Sequence, residues 1–350
     1  MADRERPRLP ILRAAGALGA VALAGGVAAC GSSSSGSANT ITLYNAQHEQ
    51  TTGALIAAFT KQTGIKVRVL NNSEDVLTAQ LVQEGARSPA DVVYVENSNW
   101  LEQLDQKGML ARLDGPTLAE VPRKYSAGTG DWLGISARVS SLIYNTSKVS
   151  RSALPTSILA LAQPQWKGKF ELAPAETDFW PIVTSVARTI GPKAALTWLK
   201  QLKANATGND SVPDNEALVR DVNDGNTELG VINQYYFFRL AAEVGKGAVR
   251  AAVAPFAPRD PGYIEDVSGA AVLKSSRRQT AARQFVQFLA SHAGQQVLAA
   301  GDAFEYPLAP GVAPNPVLPK LDTLEPAPLT PAQLGTGLDA EQLLREAGLI

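Results

Sequence analysis

Two tyrosines in a row, Tyr235 and Tyr236, close the stretch Glu228-Leu229-Gly230-Val231-Ile232-Asn233-Gln234-Tyr235-Tyr236, whose apolar part reads as a strand. Neighbours on a strand point to opposite faces, so a core would use only one phenol. A turn beyond the strand end could aim both hydroxyls into a cleft. Adjacent phenols suit a hard, highly charged cation or a hydrogen-bonding, ring-stacking solute. They also occur as plain packing or surface aromatics, so other residues must supply partners.

In open α/β sheets a ligand sits outside the carboxyl ends of the strands. The residues after each expected strand are therefore the ones to read. Ala46-Gln47-His48-Glu49 follows the strand at 41–45, and Glu96-Asn97 follows the strand at 91–95. Glu176, Thr177 and Asp178 follow the strand at 169–173, and the two phenols follow the strand at 227–233. All four ends carry groups that bind a metal or a polar solute. Phenolate, carboxylate and imidazole together favour hard cations, and without an available thiol the soft-metal and structural zinc patterns fall away. Free tyrosine titrates near 10, so phenolates form at neutral pH only beside a strongly acidic cation, and ferric iron is one. Two phenolates and one carboxylate balance its three charges, and neutral His48 adds none. Each residue has a plainer role open to it. His48 could cap the helix that it precedes, and Glu96 could be a helix N-terminal acid favoured by the dipole. His292 reads as a solvent-facing helix-end residue without a function.

The elements that must position these groups follow from periodicity. A strand at 41–45, a helix at 49–62 closed by Gly64, and a strand at 65–70 open the pattern. A helix at 73–86, with Val76, Leu77, Leu81 and Val82 on one face, leads to the strand at 91–95 and a helix at 99–107. This βαβαβα run implies a parallel sheet with helices on both faces. A second α/β unit has strands at 140–145, 169–173 and 227–233, with helices at 181–190, 193–203 and 215–223. Strands at 253–256 and 268–273 and helices at 278–290 and 294–299 follow. The simplest architecture is two lobes joined by strands that cross between them near 135–145 and 252–267. The proline-rich stretch 307–330 predicts an extended belt, ending in a short helix at 340–347.

The N-terminus carries Arg4, Arg6, Arg8 and Arg13, then an apolar run at 14–29 that is shorter than the ~20 residues of a bilayer crossing. It reads as a secretory leader over 1–29. Cys30 is the only cysteine, which rules out an internal disulfide, and its place after Val27-Ala28-Ala29 resembles a lipobox, where the sulfur would be acylated. Residues 30–39 form a serine-rich flexible tether. A formal net charge of -1 without charge runs argues against nucleic acid. Export leaves the folded part without ATP or nicotinamide cofactors, and a hydrolase would need His48 beside an unidentified serine, so the chain reads as no enzyme.

Several blocks, in order, resemble the bacterial ferric-iron-binding proteins of ABC importers. They are Tyr44-Asn45-Ala46-Gln47-His48, Arg87-Ser88-Pro89-Ala90-Asp91-Val92 with Glu96, Asn233-Gln234-Tyr235-Tyr236, Arg259-Asp260-Pro261-Gly262, 268–276 and Glu305-Tyr306-Pro307-Leu308. The resemblance implies a two-lobed, periplasmic-binding-protein-like (type II) fold with a ligand cleft. Its first lobe would take 40–138 and 263–316, its second 139–262, and a tail of 317–350 would pack on both. It also implies Fe3+ as the transported ligand, held by His48, Glu96, Tyr235 and Tyr236 with a synergistic anion such as phosphate. The partners would be an ABC permease and its ATPase, and the protein a lipid-anchored monomer. The family's anion contacts match Asn215 and Asn233, and Asn97 stands where a glutamine is usual. Glu176-Thr177-Asp178 replaces a small Ser-Gly-Ala turn, and carboxylates there would repel phosphate. The expectation is that Glu176 or Asp178 replaces the anion, or that water or another anion fills the place, with Arg138 on the crossing strand balancing the charge. The alternative is the same fold around an organic cation such as a polyamine or thiamine, with the tyrosines stacked on it.

Overall fold

The computed structural model describes residues 39–207, 212–245 and 247–350. Cys30, the leader and nearly all of the expected tether lie outside them. The chain opens with β1 (Thr40–Ala46), α1 (Glu49–Thr63), β2 (Lys66–Asn71), α2 (Glu74–Glu84), β3 (Val92–Val95) and α3 (Ser98–Gln106). β1 lies between β2 and β3 and is parallel to both, as right-handed βαβ connections require. α1 buries Leu55 and Phe59, the latter against Phe285 with ring centroids 4.9 Å apart. It stops at Gly64, whose φ of 71° lies in the left-handed region. In α2 only Leu77 and Leu81 of the expected apolar face are buried, while Val76 and Val82 are exposed. The i,i+4 pair shares one line along the helix, and its flanking residues turn away from it.

The next segment holds β4 (Leu110–Ala111), α4 (Gly115–Leu118) and β5 (Leu133–Asn145). β5 is the long crossing strand, buried along all 13 residues. Its first half pairs antiparallel with β9 (Glu265–Leu273), Arg138 opposite Asp266. Its second half pairs antiparallel with β7 (Leu229–Asn233) and β8 (Ala251–Ala254), Ser140 opposite Asn233. The exchange of partners falls between Val139 and Ser140. Strand alternation places Ser136, Arg138 and Ser140 on one face of β5.

β6 is only Phe170–Glu171, shorter than the strand expected at 169–173, and runs parallel to β7. A single 3-10 turn at Thr177–Phe179 then enters α5 (Trp180–Ile190), followed by α6 (Pro192–Asn205) and α7 (Asn215–Asp224). After β7 comes α8 (Gln234–Val244), a helix that periodicity did not reveal. The second crossing is only partly strand. Residues 255–264 between β8 and β9 are irregular, and Arg259 there takes a φ of 61°. α9 (Gln279–Ala290), α10 (His292–Ala300), β10 (Tyr306–Pro307), α11 (Pro331–Leu334) and α12 (Leu338–Ala347) complete the order. His292 opens α10 and is exposed. The proline-rich belt is mostly irregular, as expected, with β10 pairing to β5 and α12 packing on α5 and α6. Strand order is β2-β1-β3-β9-β5-β7-β6. Among the described residues no helix is long and apolar enough to cross a membrane.

Gly134 shows how tightly the crossing strands are packed. A Cβ there would meet Val267 Cγ1 at 2.6 Å, the Tyr125 carbonyl oxygen at 2.7 Å and Leu308 Cδ1 at 3.0 Å. The carbonyl is backbone and has little room to retreat. Gly134→Ala is therefore expected to cost about 1–3 kcal/mol, read as a lower urea midpoint with an unchanged slope. A midpoint equal to that of the unmodified chain would refute the packing argument.

Candidate metal centre

β1 and β3 are parallel with Ala46 opposite Val95, so the residues beyond them leave the sheet at one level. His48 and Glu96 meet there, with His48 Nε2 2.6 Å from Glu96 Oε1. His48 occupies the N-cap position of α1, but its side chain makes no capping bond. The phenols arrive from another direction. Asn233 is the N-cap of α8, which puts Tyr235 and Tyr236 in the first helical turn. Successive residues there differ by about 100° rather than the 180° of a strand, so both rings can face one site. Their centroids lie 4.1 Å apart, with the planes tilted by 30°. Tyr235 Oη is 3.3 Å from His48 Nε2 and donates to Glu96 Oε1 at 3.1 Å. Tyr236 Oη donates to Asp178 Oδ2 at 3.1 Å, and Tyr235 Oη reaches the same oxygen at 3.5 Å.

Behind these groups lies Arg138, fully buried. It donates to the Glu96 carbonyl, to Asn97 Oδ1 at 2.6 Å, to Asp178 Oδ1 at 3.5 Å and to Asp266 Oδ2 at 3.3 Å. Asn215 Nδ2 donates to Asp178 Oδ2 at 3.3 Å. Asn233 is buried beside the phenols, and its Nδ2 has no protein partner.

The electrostatics are one-sided. Burial, followed by the charges of Asp178 and Glu96, pushes both phenols well above 10, so they act as neutral donors. Burial opposes ionised Glu96, but His48 outweighs it, with help from Arg138 and the Tyr235 hydroxyl, and holds Glu96 down to about 2. The same pairing raises His48 above 6.5 against its own burial. Burial raises Asp178 in spite of Arg138, lifts Asp266 to about 6 and also raises Glu305. Burial, with the charge of Glu96 added, takes Glu74 to about 8, and burial with Asp178 does the same for Glu176. The pocket has more carboxylates than its cations can keep ionised.

The structure thus brings together His48, Glu96, Tyr235, Tyr236, Asp178, Asn215 and Arg138. Arg138 is internal. Asn97 and Thr177 join one edge through a bond of 3.0 Å. Glu176 is set apart. It lines a neighbouring cavity of about 380 Å³ with Glu74, Glu96, Trp100 and Trp180, so of the two expected acids Asp178 faces the phenols. Sequence reading missed Glu74, Asp266 and Glu305. Glu305 accepts from Ser136 and from Gln47 Nε2. Glu305 lay inside a noted motif, but only its burial marks it out. Among the described residues no three histidine, cysteine or carboxylate side chains form a metal cage of their own. A cation here needs the phenols. The nearest oxygen and nitrogen atoms of His48, Glu96 and Tyr235 are 2.6–3.3 Å apart, near the ~2.9 Å between adjacent vertices of an octahedron with ~2.0–2.1 Å bonds.

The family model for bacterial extracellular solute-binding proteins matches residues 54–326, a span that includes Glu96, Asp178 and both phenols. The chain belongs to this family. The solute-binding protein is 40% identical over 310 residues to the Fe(3+)-binding periplasmic protein of Serratia marcescens, covering 89% of this chain and 90% of that one. Iron-bound HitA from Pseudomonas aeruginosa superposes with a TM-score of 0.85 at 39% identity, over 88% of this chain and 99% of that one. A Trichodesmium protein (IdiA, FutA) in complex with iron and citrate has a TM-score of 0.77 at 27% identity, over 88% and 99%. The two-lobed α/β fold of the ferric-binding proteins is therefore also the fold of this solute-binding protein.

The raised carboxylates set a pH dependence. Glu74 and Glu176 titrate near 8 when folded and near 4.5 when unfolded. Between those values the unfolded chain holds fewer protons, so stability falls as pH rises. His48, raised when folded, adds loss of the same sign above 6.5. Glu96 has the opposite sign, but its window, between about 2 and 4.5, lies below. The melting midpoint of the metal-free protein is expected to drop from pH 5.5 to pH 8, and Glu176→Gln should flatten the drop. A midpoint that rises over this interval would contradict the charge assignment.

Proposed function

We propose that this protein captures ferric iron between its lobes outside the cytoplasm and delivers it to an ABC-type importer, a permease with its ATPase. The observation that carries this reading is the hydrogen-bonded set of His48, Glu96, Tyr235 and Tyr236 around Asp178. Two neutral phenols aimed at carboxylates are poised to lose their protons to a strongly acidic cation. The ferric-iron names of the relatives agree with that chemistry. In this proposal His48, Glu96, Tyr235 and Tyr236 are the ligands, with residues 40–138 and 263–316 forming one lobe and 139–262 the other. Residues 317–350 pack on both lobes. Closure follows from ligands that metal links across the cleft. The monomer is tethered through lipid on Cys30.

The anion place has its own assignment. Asp178 already accepts from Asn215 and Arg138, and Asn215 is one of the two asparagines that the resemblance assigns to the anion. Asp178 thus serves as an internal anion, and iron uptake requires no phosphate.

Purified protein titrated with ferric iron is expected to bind one ion per chain. A visible phenolate-to-iron band should appear with or without phosphate and be absent in a Tyr235→Phe/Tyr236→Phe double variant. Asp178→Asn should make the band depend on phosphate. Asn215→Ala, removing a group that only orients Asp178, should weaken binding by roughly 10–100-fold. Absence of the band in the unmodified protein would favour an organic cation instead. A metal-loaded structure with phosphate bound to both lobes would end the internal-anion assignment.

A further inference from the structure

Glu74 opens α2, in a first turn where an acid normally faces solvent or its own helix amides. Here it is buried, and its oxygens reach away from the helix. Oε1 accepts the backbone amide of Asn97 at 2.6 Å. Oε2 accepts Asn97 Nδ2 at 2.9 Å and the Thr177 hydroxyl at 2.5 Å. Asn97 Nδ2 also donates to Thr177 Oγ1 at 3.0 Å, closing a triangle of three side chains.

The positions of the three corners give the triangle its meaning. Asn97 follows Glu96 at the N-cap position of α3, and its Oδ1 receives Arg138, which also donates to the Glu96 carbonyl. Thr177 stands between Glu176 and Asp178. α2 and α3 follow β2 and β3, at one end of the strand order, and Thr177 follows β6, at the other. The bond from Thr177 to Glu74 therefore joins the far ends of the sheet directly, without passing through the crossing strands β5 and β9. It spans 103 residues of sequence and uses no residue of the proposed ligand set.

We infer that Glu74 is a positioning residue that latches Thr177 to Asn97 across the cleft, favouring the closed arrangement alongside the metal and slowing the escape of the bound cation. A carboxylate gripping two donors from one side and one from the other is a clamp of fixed length. The part that concerns escape rests on the ferric reading above, and the part that concerns closure does not.

The test has two arms. In the first, small-angle scattering gives the radius of gyration of the metal-free protein, the Thr177→Val and Glu74→Gln variants, and Thr177→Ser, which keeps the hydroxyl. Thr177→Val is expected to enlarge the radius and Thr177→Ser to restore it, and folding of each is checked by circular dichroism. Thr177→Val keeps the arm decisive if Glu74→Gln fails to fold. In the second, ferric iron is withdrawn by excess EDTA, and Thr177→Val is expected to release it several-fold faster, as the loss of one neutral hydrogen bond implies, with Thr177→Ser restoring the slow rate. A folded Thr177→Val with the radius of the unmodified protein overturns the closure part, and an unaltered release rate overturns the part about escape. If the unmodified protein takes up no ferric iron, the ferric reading and the escape part fall together, while the scattering arm still decides closure.

Discussion

A carboxylate stays ionised in a dry interior only if cations and hydrogen-bond donors surround it, and the rest of this structure is arranged around that constraint. Glu74, Asp178, Asp266 and Glu305 are all buried, with Glu96 and Glu176 at their margin. The guanidinium of Arg138 is the fixed charge at their centre, and His48 supports Glu96. The balance is short of positive charge. The raised acids and the still-protonated phenols both express that shortage. A small, highly charged cation among Tyr235, Tyr236, His48 and Glu96 would relieve it, because such an ion makes the phenolate state favourable where burial alone forbids it.

The backbone contributes a second source of positive potential. His48 precedes α1, Glu74 begins α2, Asn97 precedes α3, Asp178 lies just before α5, Asn215 begins α7, and the tyrosines open α8. Every one of these helices points its N-terminus toward the acid cluster, where unpaired amides and the dipole favour negative charge. This follows from the topology. β1 and β3 run opposite to β6 and β7, to which they connect through antiparallel β9 and β5, so the helices that follow the two sets start at facing strand ends, while α7 follows α6. The change of partners in β5 at Val139–Ser140 then brings Arg138 beside the end of β7 and thus beside the phenols.

Legibility from sequence differed between the strand ends and their surroundings. β1, β3 and β7 were readable because apolar runs bounded by polar residues have a strong period. The groups just past them, His48, Glu96, Tyr235 and Tyr236, were named on that basis. α8 escaped because it begins Gln234-Tyr235-Tyr236-Phe237-Phe238, and aromatic residues favour strands as readily as helices. Its apolar positions also lack a clear helical stripe, since Tyr235 and Tyr236 are spent on the site and Phe237 and Phe238 are only partly buried. Glu74 looked like a routine first-turn acid. Its function as an acceptor for Asn97 and Thr177 depends on residues 23 and 103 positions away. No local pattern carries such a relation.

By itself, the sequence determined which chemistry was available: phenols, one placed imidazole, carboxylates and no thiol in the folded region, set at the ends of alternating strands. Those are local properties of residue type and period, and they survive without a fold. Only the tertiary structure decided that Asp178 rather than Glu176 meets the phenols, that Arg138 is internal, and that Tyr235 and Tyr236 share a face. These outcomes depend on burial and on distances of about 3 Å between residues far apart in the chain, and strand pairing and helix placement set both.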